Sequence, residues 1–376
     1  MARKVDAGGE SRIDLDDREA WAKLDPAGMM GFAAGYPDQV KEAAQIGRAF
    51  EPPKEFANPR LVVLSGMGGS AVAGDFLARL CEGRSSVPIL VNRGYEIPEY
   101  VGPDTLFIAS SHSGNTEETL AATGAALKRE ARILCITTGG KLREVAQEHK
   151  GRRMALLEIP QTEPPMPPRA ALGYSLIPLV RVLETLGVYP GAGRQLGEAI
   201  PLLEHLRDRL QPDIPTGDNA AKQLARELYG RLPWVQGTVG IMGAAAYRWR
   251  TQFNENSKML AYSSEYPEMS HNEVIGWERG ERWRDILSVI ILRCSGDHWR
   301  VRARVDITRS KFLKPKAPVH VVEAEGQSPL AQLLWTVYYG DMVSLYLAFL
   351  NEVDPASIDS INALKSDLAK LQAPVE

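Results

Sequence analysis

Two successive blocks of strand, turn and helix predict an α/β fold of doubly wound parallel sheets flanked by helices. Three observations carry this. Short apolar runs such as Leu61-Val62-Val63-Leu64 and Thr105-Leu106-Phe107-Ile108-Ala109 read as strands buried on both faces. A glycine- or hydroxyl-rich turn follows each of these two runs, and a helical pattern follows the turn. The order then recurs: Gly66-Met67-Gly68-Gly69-Ser70 between strand and helix is echoed by Gly240-Ile241-Met242-Gly243-Ala244. With 376 residues, the chain divides into an N-terminal helical segment (1–50), a first domain (51–190) and a second (191–376).

In chain order, residues 12–50 read as helical, with Leu15, Trp21, Leu24, Met29, Met30 and Phe32 as packing residues. Strands are expected at 61–64, 87–91, 105–109, 132–137 and 154–159, and helices at 71–81, 117–129 and 141–149. Residues 160–168 are proline-rich, so neither helix nor central strand fits, and an extended connector is expected. A helix over 170–186 and helical linkers over 193–211 lead to the second block. There strands are expected at 234–239, 286–293 and 318–323, and helices at 244–260, 328–350 and 355–371. Ligands of such sheets bind beyond the carboxyl ends of the strands.

Composition narrows the classes. The chain is 44% hydrophobic and 24% charged with a net charge of −3, which gives no sign of a nucleic-acid partner. Cys81, Cys135 and Cys294 lie far apart with no metal-ligand spacing, and read as buried free thiols in a reducing cytoplasm. Met1 to Glu19 is mostly polar, unlike a signal peptide. No apolar run reaches the ~18 residues of a membrane span. A soluble cytoplasmic protein without cofactor or membrane partner is expected.

The stretch richest in chemistry is Ser110-Ser111-His112-Ser113-Gly114-Asn115-Thr116, between a strand end and a helix N-terminus. Free backbone N–H groups and the positive end of the helix dipole suit an anion such as phosphate there. One hydroxyl would serve as an N-cap. Four within seven positions point to phosphate binding by Ser111, Ser113 and Thr116, with Gly114 allowing close backbone approach. The second block has Cys294-Ser295-Gly296-Asp297 at this place, and Asp297 would repel phosphate, so one site per chain is expected. Gly66-Met67-Gly68-Gly69-Ser70-Ala71 also fits the dinucleotide pattern G-x-G-x-x-A. The next strand, however, ends in Asn92-Arg93 and lacks the acidic residue that holds a ribose.

Gly66 to Ser70 together with Ser111 to Thr119 resembles the sugar isomerase, or SIS, domain. Pro168 to Tyr174, Asn254-Glu255-Asn256-Ser257-Lys258, Met269-Ser270-His271-Asn272-Glu273 and Val353-Asp354-Pro355 to Leu364-Lys365 are similar to the bifunctional phosphoglucose/phosphomannose isomerase family. The resemblance spans roughly residues 55–370. It implies two SIS domains, a homodimer with shared active sites, no metal, and exchange of glucose 6-phosphate or mannose 6-phosphate with fructose 6-phosphate. That reaction needs a phosphate anchor, a base for the C2 proton, a group to stabilise the enediolate, and an acid–base for ring opening. The resemblance assigns Ser111, Ser113 and Thr116, closed over by Gly69 and Ser70, as anchor, and Glu255 as the base, its pKa raised by partial desolvation. Taken alone, a glutamate at a helix end is usually a solvated face. Arg169 follows a rigid proline run and opens a helix, where its charge opposes the dipole, and it is assigned to the enediolate oxygen. His271 would assist ring opening in the partner subunit's site, and Lys365 would be the second ring-opening group or orient sugar hydroxyls. Lys365, with Asp367 and Lys370, also fits an ordinary exposed face, and His112 is given no role. Ala356 replaces a hydroxyl residue expected in some relatives, which bears on sugar preference. Two other classes fit the sequence less well. An amidotransferase-type isomerase needs an ammonia-supplying domain with an N-terminal cysteine, and position 2 is Ala2. A sugar-phosphate sensor needs a DNA-reading helix, and no basic recognition helix is evident.

Overall fold

The buried apolar runs form two separate all-parallel sheets. The computed structural model describes residues 13–151 and 153–371, so expectations for residues 1–12 and 372–376 lie outside it. Three helices open the described chain: α1 (Arg18–Ala22), α2 (Met29–Ala34) and α3 (Tyr36–Ala49). The first sheet follows as β1 (Leu61–Ser65), α4 (Gly68–Cys81), β2 (Ile89–Asn92), β3 (Thr105–Ser110), α5 (Glu117–Lys128), β4 (Arg132–Thr137), α6 (Gly140–Glu148) and β5 (Met154–Glu158). Helices α7 (Leu172–Thr185), α8 (Ala192–Leu210) and α9 (Ala220–Leu228) lead to the second sheet. It comprises β6 (Leu232–Thr238), α10 (Ile241–Glu255), β7 (Tyr262–Tyr266), the short α11 (Glu273–Gly276), β8 (Leu287–Arg293), α12 (Trp299–Thr308) and β9 (Val319–Glu323). Two helices close the chain, α13 (Pro329–Leu350) and α14 (Asp359–Leu368).

The sheet orders are β2-β1-β3-β4-β5 and β7-β6-β8-β9. Each therefore has a switch point, between β1 and β3 and between β6 and β8, where crossovers leave in opposite directions and a crevice opens. In the first sheet the register pairs Ser65 with Ala109 and Ser110 with Ile136. The Gly66 turn and the Ser111 loop thus leave the same edge side by side.

One core joins the two sheets. Val62, Leu64, Leu106, Ile108, Leu134 and Ile136 of the first sheet and Val235, Ile290 and Leu292 of the second face it, together with α4, α7, α10 and α13. Alternate residues Val63, Phe107, Ile133 and Cys135 pack outward against α5 and α6, the period-two pattern of strands covered on both faces. Helix α13 is buried at every residue but Pro329 and Asp341. By length and composition alone it could cross a membrane, but 94% of its apolar stretch is inside the protein. It is a core helix, and it falls where the helix over 328–350 was expected.

Several boundaries differ from expectation for local reasons. Helices α4 and α10 start at Gly68 and Ile241, because the glycines form the first turns instead of preceding them. The 12–50 region breaks into three helices at left-handed Gly28 and at Gly35. Helix α10 stops at Glu255 and not near 260, and β7, which has no apolar run, follows it. Helix α14 begins at Asp359 and not 355, because the carbonyls of Pro355 and Ala356 accept hydrogen bonds from Arg169.

Candidate active site

At the switch point of the first sheet, Ser111 extends the ladder, its N–H donating to Ile136 at 3.1 Å. The hydroxyls of Ser111 and Thr116 meet at 2.8 Å, and Ser113 Oγ accepts from the Asn115 N–H at 3.3 Å. Thr116 occupies the N-cap of α5 without capping it, and Met67 does the same for α4. Two helix starts therefore present N–H groups uncapped by side chains to one crevice. The turns touch: a Cβ on Gly66 would lie 2.8 Å from the Ser110 carbonyl. Gly114 has φ +68, and a Cβ there would lie 1.8 Å from the Gly139 carbonyl, so only glycine fits. Ser70 is buried beneath the Gly66 turn. The loop residues expected to hold phosphate are thus gathered in one place. The His112 carbonyl accepts from Thr138, while its Nδ1 is buried without a partner, and burial pushes the ring's pKa down.

Beside this crevice lies a second cluster. A Cβ on Gly69 would sit 3.1 Å from the Pro168 carbonyl, so the start of α4 abuts the end of the proline run. The next residue, Arg169, is only 5% exposed. Its Nη1 lies 3.5 Å from Glu255 Oε2, Nε donates to Asn256 Oδ1 at 2.7 Å, and Nη2 donates to the carbonyls of Pro355 and Ala356. Burial pulls the guanidinium below its usual value, while Glu255 and Asp354 counter it, and it remains a cation. The Glu255 side chain keeps 32% exposure, enough to be reached by a ligand.

Helix α13 braces this pair. Buried Arg248 donates to the Arg169 carbonyl at 3.1 Å and to Asp341 at 2.7 Å, and Gln252 donates to the other Asp341 oxygen at 3.0 Å. Asn256 and Ser257 donate to Ser344 Oγ and its carbonyl. Burial raises the Asp341 pKa, with Arg248 opposing. Arg248, Gln252, Asp341 and Ser344 lie outside the sequence motifs, whereas Asn256 and Ser257 belong to one. The available signal was Asp341, the single charge in α13.

His271 is exposed at the end of a short helical turn (Glu268–His271) that buries Met269, and Lys365 is exposed on α14. Among the described residues of this protomer, neither makes a hydrogen bond or ion pair with the Arg169–Glu255 cluster. The equivalent crevice of the second sheet is filled from within. Asp297 accepts from Thr238 Oγ1 at 2.7 Å and from the Cys294 N–H at 3.0 Å, and Glu265 accepts from the Gly240 N–H at 3.1 Å.

Two parallel sheets, each with a switch-point crevice, and a hydroxyl-rich anion loop define the chain as a two-sheet protein of the SIS class. Residues 217–368 match the family described as the bacterial phospho-glucose isomerase C-terminal SIS domain. A hypothetical protein from Thermus thermophilus shares the fold, with a TM-score of 0.72 at 17% identity over 94% of this chain and 93% of that one. The bifunctional phosphoglucose/phosphomannose isomerase of Caldicellulosiruptor bescii is 38% identical over 89% of this chain and 97% of its own length. That of Aquifex aeolicus is 37% identical over 82% and 90%. The chain belongs to the bifunctional phosphoglucose/phosphomannose isomerase family, and is a sugar-phosphate isomerase.

Proposed function

We propose that the protein interconverts glucose 6-phosphate, and also mannose 6-phosphate, with fructose 6-phosphate through an enediol. The observation that carries this reading is the Arg169–Glu255 pair, drawn from distant parts of the chain to the rim of the phosphate crevice, with the Glu255 side chain partly open to solvent. The phosphate sits among Ser111, Ser113, Thr116 and the start of α4 at Gly69 and Ser70. Glu255 moves the proton between C2 and C1, and Arg169 faces the oxygen that gains charge. Mannose 6-phosphate enters the same enediol after rotation about C2–C3. The protein acts as a homodimer in which His271 from the other subunit assists ring opening, and Lys365 is the second ring-opening group. The same reading divides the chain into a helical segment (1–50), a phosphate-holding domain (51–190) and a base-bearing domain (191–376). Asp297 and Glu265 already occupy the second crevice, which favours one phosphate per chain. A coupled assay for fructose 6-phosphate formed from each aldose phosphate tests the reading. Turnover of both is expected, and no turnover of either would refute it.

A further inference from the structure

Lys258 stands three residues after Glu255, where α10 has ended and the Met259 N–H reaches back to the Phe253 carbonyl at 3.3 Å. Its φ is +54, the left-handed conformation in which helix ends usually place glycine. A lysine there is strained. Its ammonium is turned back into the cluster, donating to the Glu255 carbonyl and, at 3.4 Å, to the Pro355 carbonyl. The latter also accepts from Arg169, so two cations converge on one oxygen beside Glu255. Partial burial, and then the charge of Arg169, pull the Lys258 pKa below its ordinary value, with Asp354 and Glu255 opposing. Two cations thus share one carbonyl oxygen, one of them held at a strained backbone position. They suit a site that receives negative charge.

We propose that Lys258 is a second cation of the active site, binding with Arg169 the sugar oxygen that becomes anionic when the C2 proton is removed. This rests on the reading of Glu255 as the base. The proton leaves C2 for the Glu255 carboxylate, the C2–H electron pair enters the C1–C2 double bond, and the charge displaced onto the carbonyl oxygen lies between the two cations. Lys258 gives up no proton in this step. It holds the oxyanion electrostatically while the O2–H proton passes to O1, and Glu255 then returns its own proton at C1 as O2 becomes the ketose carbonyl.

A lysine here could also be a helix-end residue serving the dipole. Substitution by glycine separates the two roles, because it relieves strain while removing charge. Glu130, at φ +58 after α5 and outside the site, supplies the control. Glu130→Gly should hold or raise Tm and leave kcat unchanged. Lys258→Gly should also hold or raise Tm, yet lose kcat on the order of 10²-fold, the scale of a lost oxyanion donor. KM should stay within about threefold, since the phosphate anchor is untouched. Solvent hydrogen exchange at C2 should fall in step, and Lys258→Arg should recover part of the loss. Lys258→Gly with near wild-type kcat, while Glu255→Gln is inactive, would overturn this proposal alone. Wild-type protein that turns over neither aldose phosphate would overturn the functional reading and this proposal with it.

Discussion

Replacing Gly114 by alanine tests the phosphate crevice most directly. The added Cβ would lie 1.8 Å from the Gly139 carbonyl, where real contacts are never under 3.0 Å, so the loop must shift by 3.0 − 1.8 = 1.2 Å or more. Gly114 is pinned on both sides: its carbonyl accepts from the Leu142 N–H at 2.9 Å, and its own N–H donates to Ser111 at 3.2 Å. The shift therefore carries Ser113 and Thr116 with it. A hydrogen bond near 2.9 Å lengthened by that amount no longer counts as one. Losing a single charge-assisted bond to phosphate costs about 1.5–3 kcal/mol. That corresponds to a rise in KM of roughly 10- to 150-fold. The Arg169–Glu255 pair is not touched, so kcat should change less than KM. The assay is steady-state isomerisation with fructose 6-phosphate as the varied substrate, alongside thermal-shift stabilisation by the same sugar phosphate. A Gly114→Ala protein that is folded and whose KM stays within about threefold of wild type, below the range for one lost bond, would refute phosphate binding by this loop.

Glu255→Gln keeps size but removes the base, and kcat should fall by about 10²–10⁴-fold with little change in KM. Retention of more than about a tenth of wild-type kcat would place the base elsewhere. If subunits share sites, mixing Glu255→Gln with His271→Ala subunits should recover some activity, since one hybrid site keeps both groups. No recovery in demonstrably mixed dimers would place His271 in its own subunit's site. Asp341→Ala leaves Arg248 charged and uncompensated in the core, which should destabilise the protein by about 3–5 kcal/mol. Urea unfolding measures this, and a loss below about 1 kcal/mol, no more than an ordinary surface change, would show that Arg248 finds another partner.

What the sequence disclosed was what is local in it. The Gly66 turn and the Ser111 loop are contiguous, and strand, turn and helix follow each other within a few positions, so both were placed correctly at the same sheet edge. Arg169 was singled out by a local conflict, a positive charge at a helix start. Its partners Glu255, Asn256 and Pro355 come from the other end of the chain, and only the fold brings them together. Strand β7 was missed because Tyr-Ser-Ser-Glu-Tyr at a sheet edge has no apolar run to mark it. The brace from α13 was missed because Asp341 and Ser344 are lost in an apolar pattern that announces only burial.

The carboxylates in the second crevice have a further meaning. Asp297 and Glu265 are ligands tethered to their own receptor, present at an effective concentration that no free metabolite matches. Left empty, such a cradle would compete with the first for anions. With that cradle filled from within, two sheets of the same kind present unlike edges, one a crevice lined by hydroxyls and the other closed by carboxylates. Glu265 also reaches across to Arg79 on α4, 3.3 Å away, so the occupied cradle doubles as a clasp between the halves. Freeing it by Glu265→Gln would loosen the contact that this carboxylate makes between α4 and the Gly240 turn.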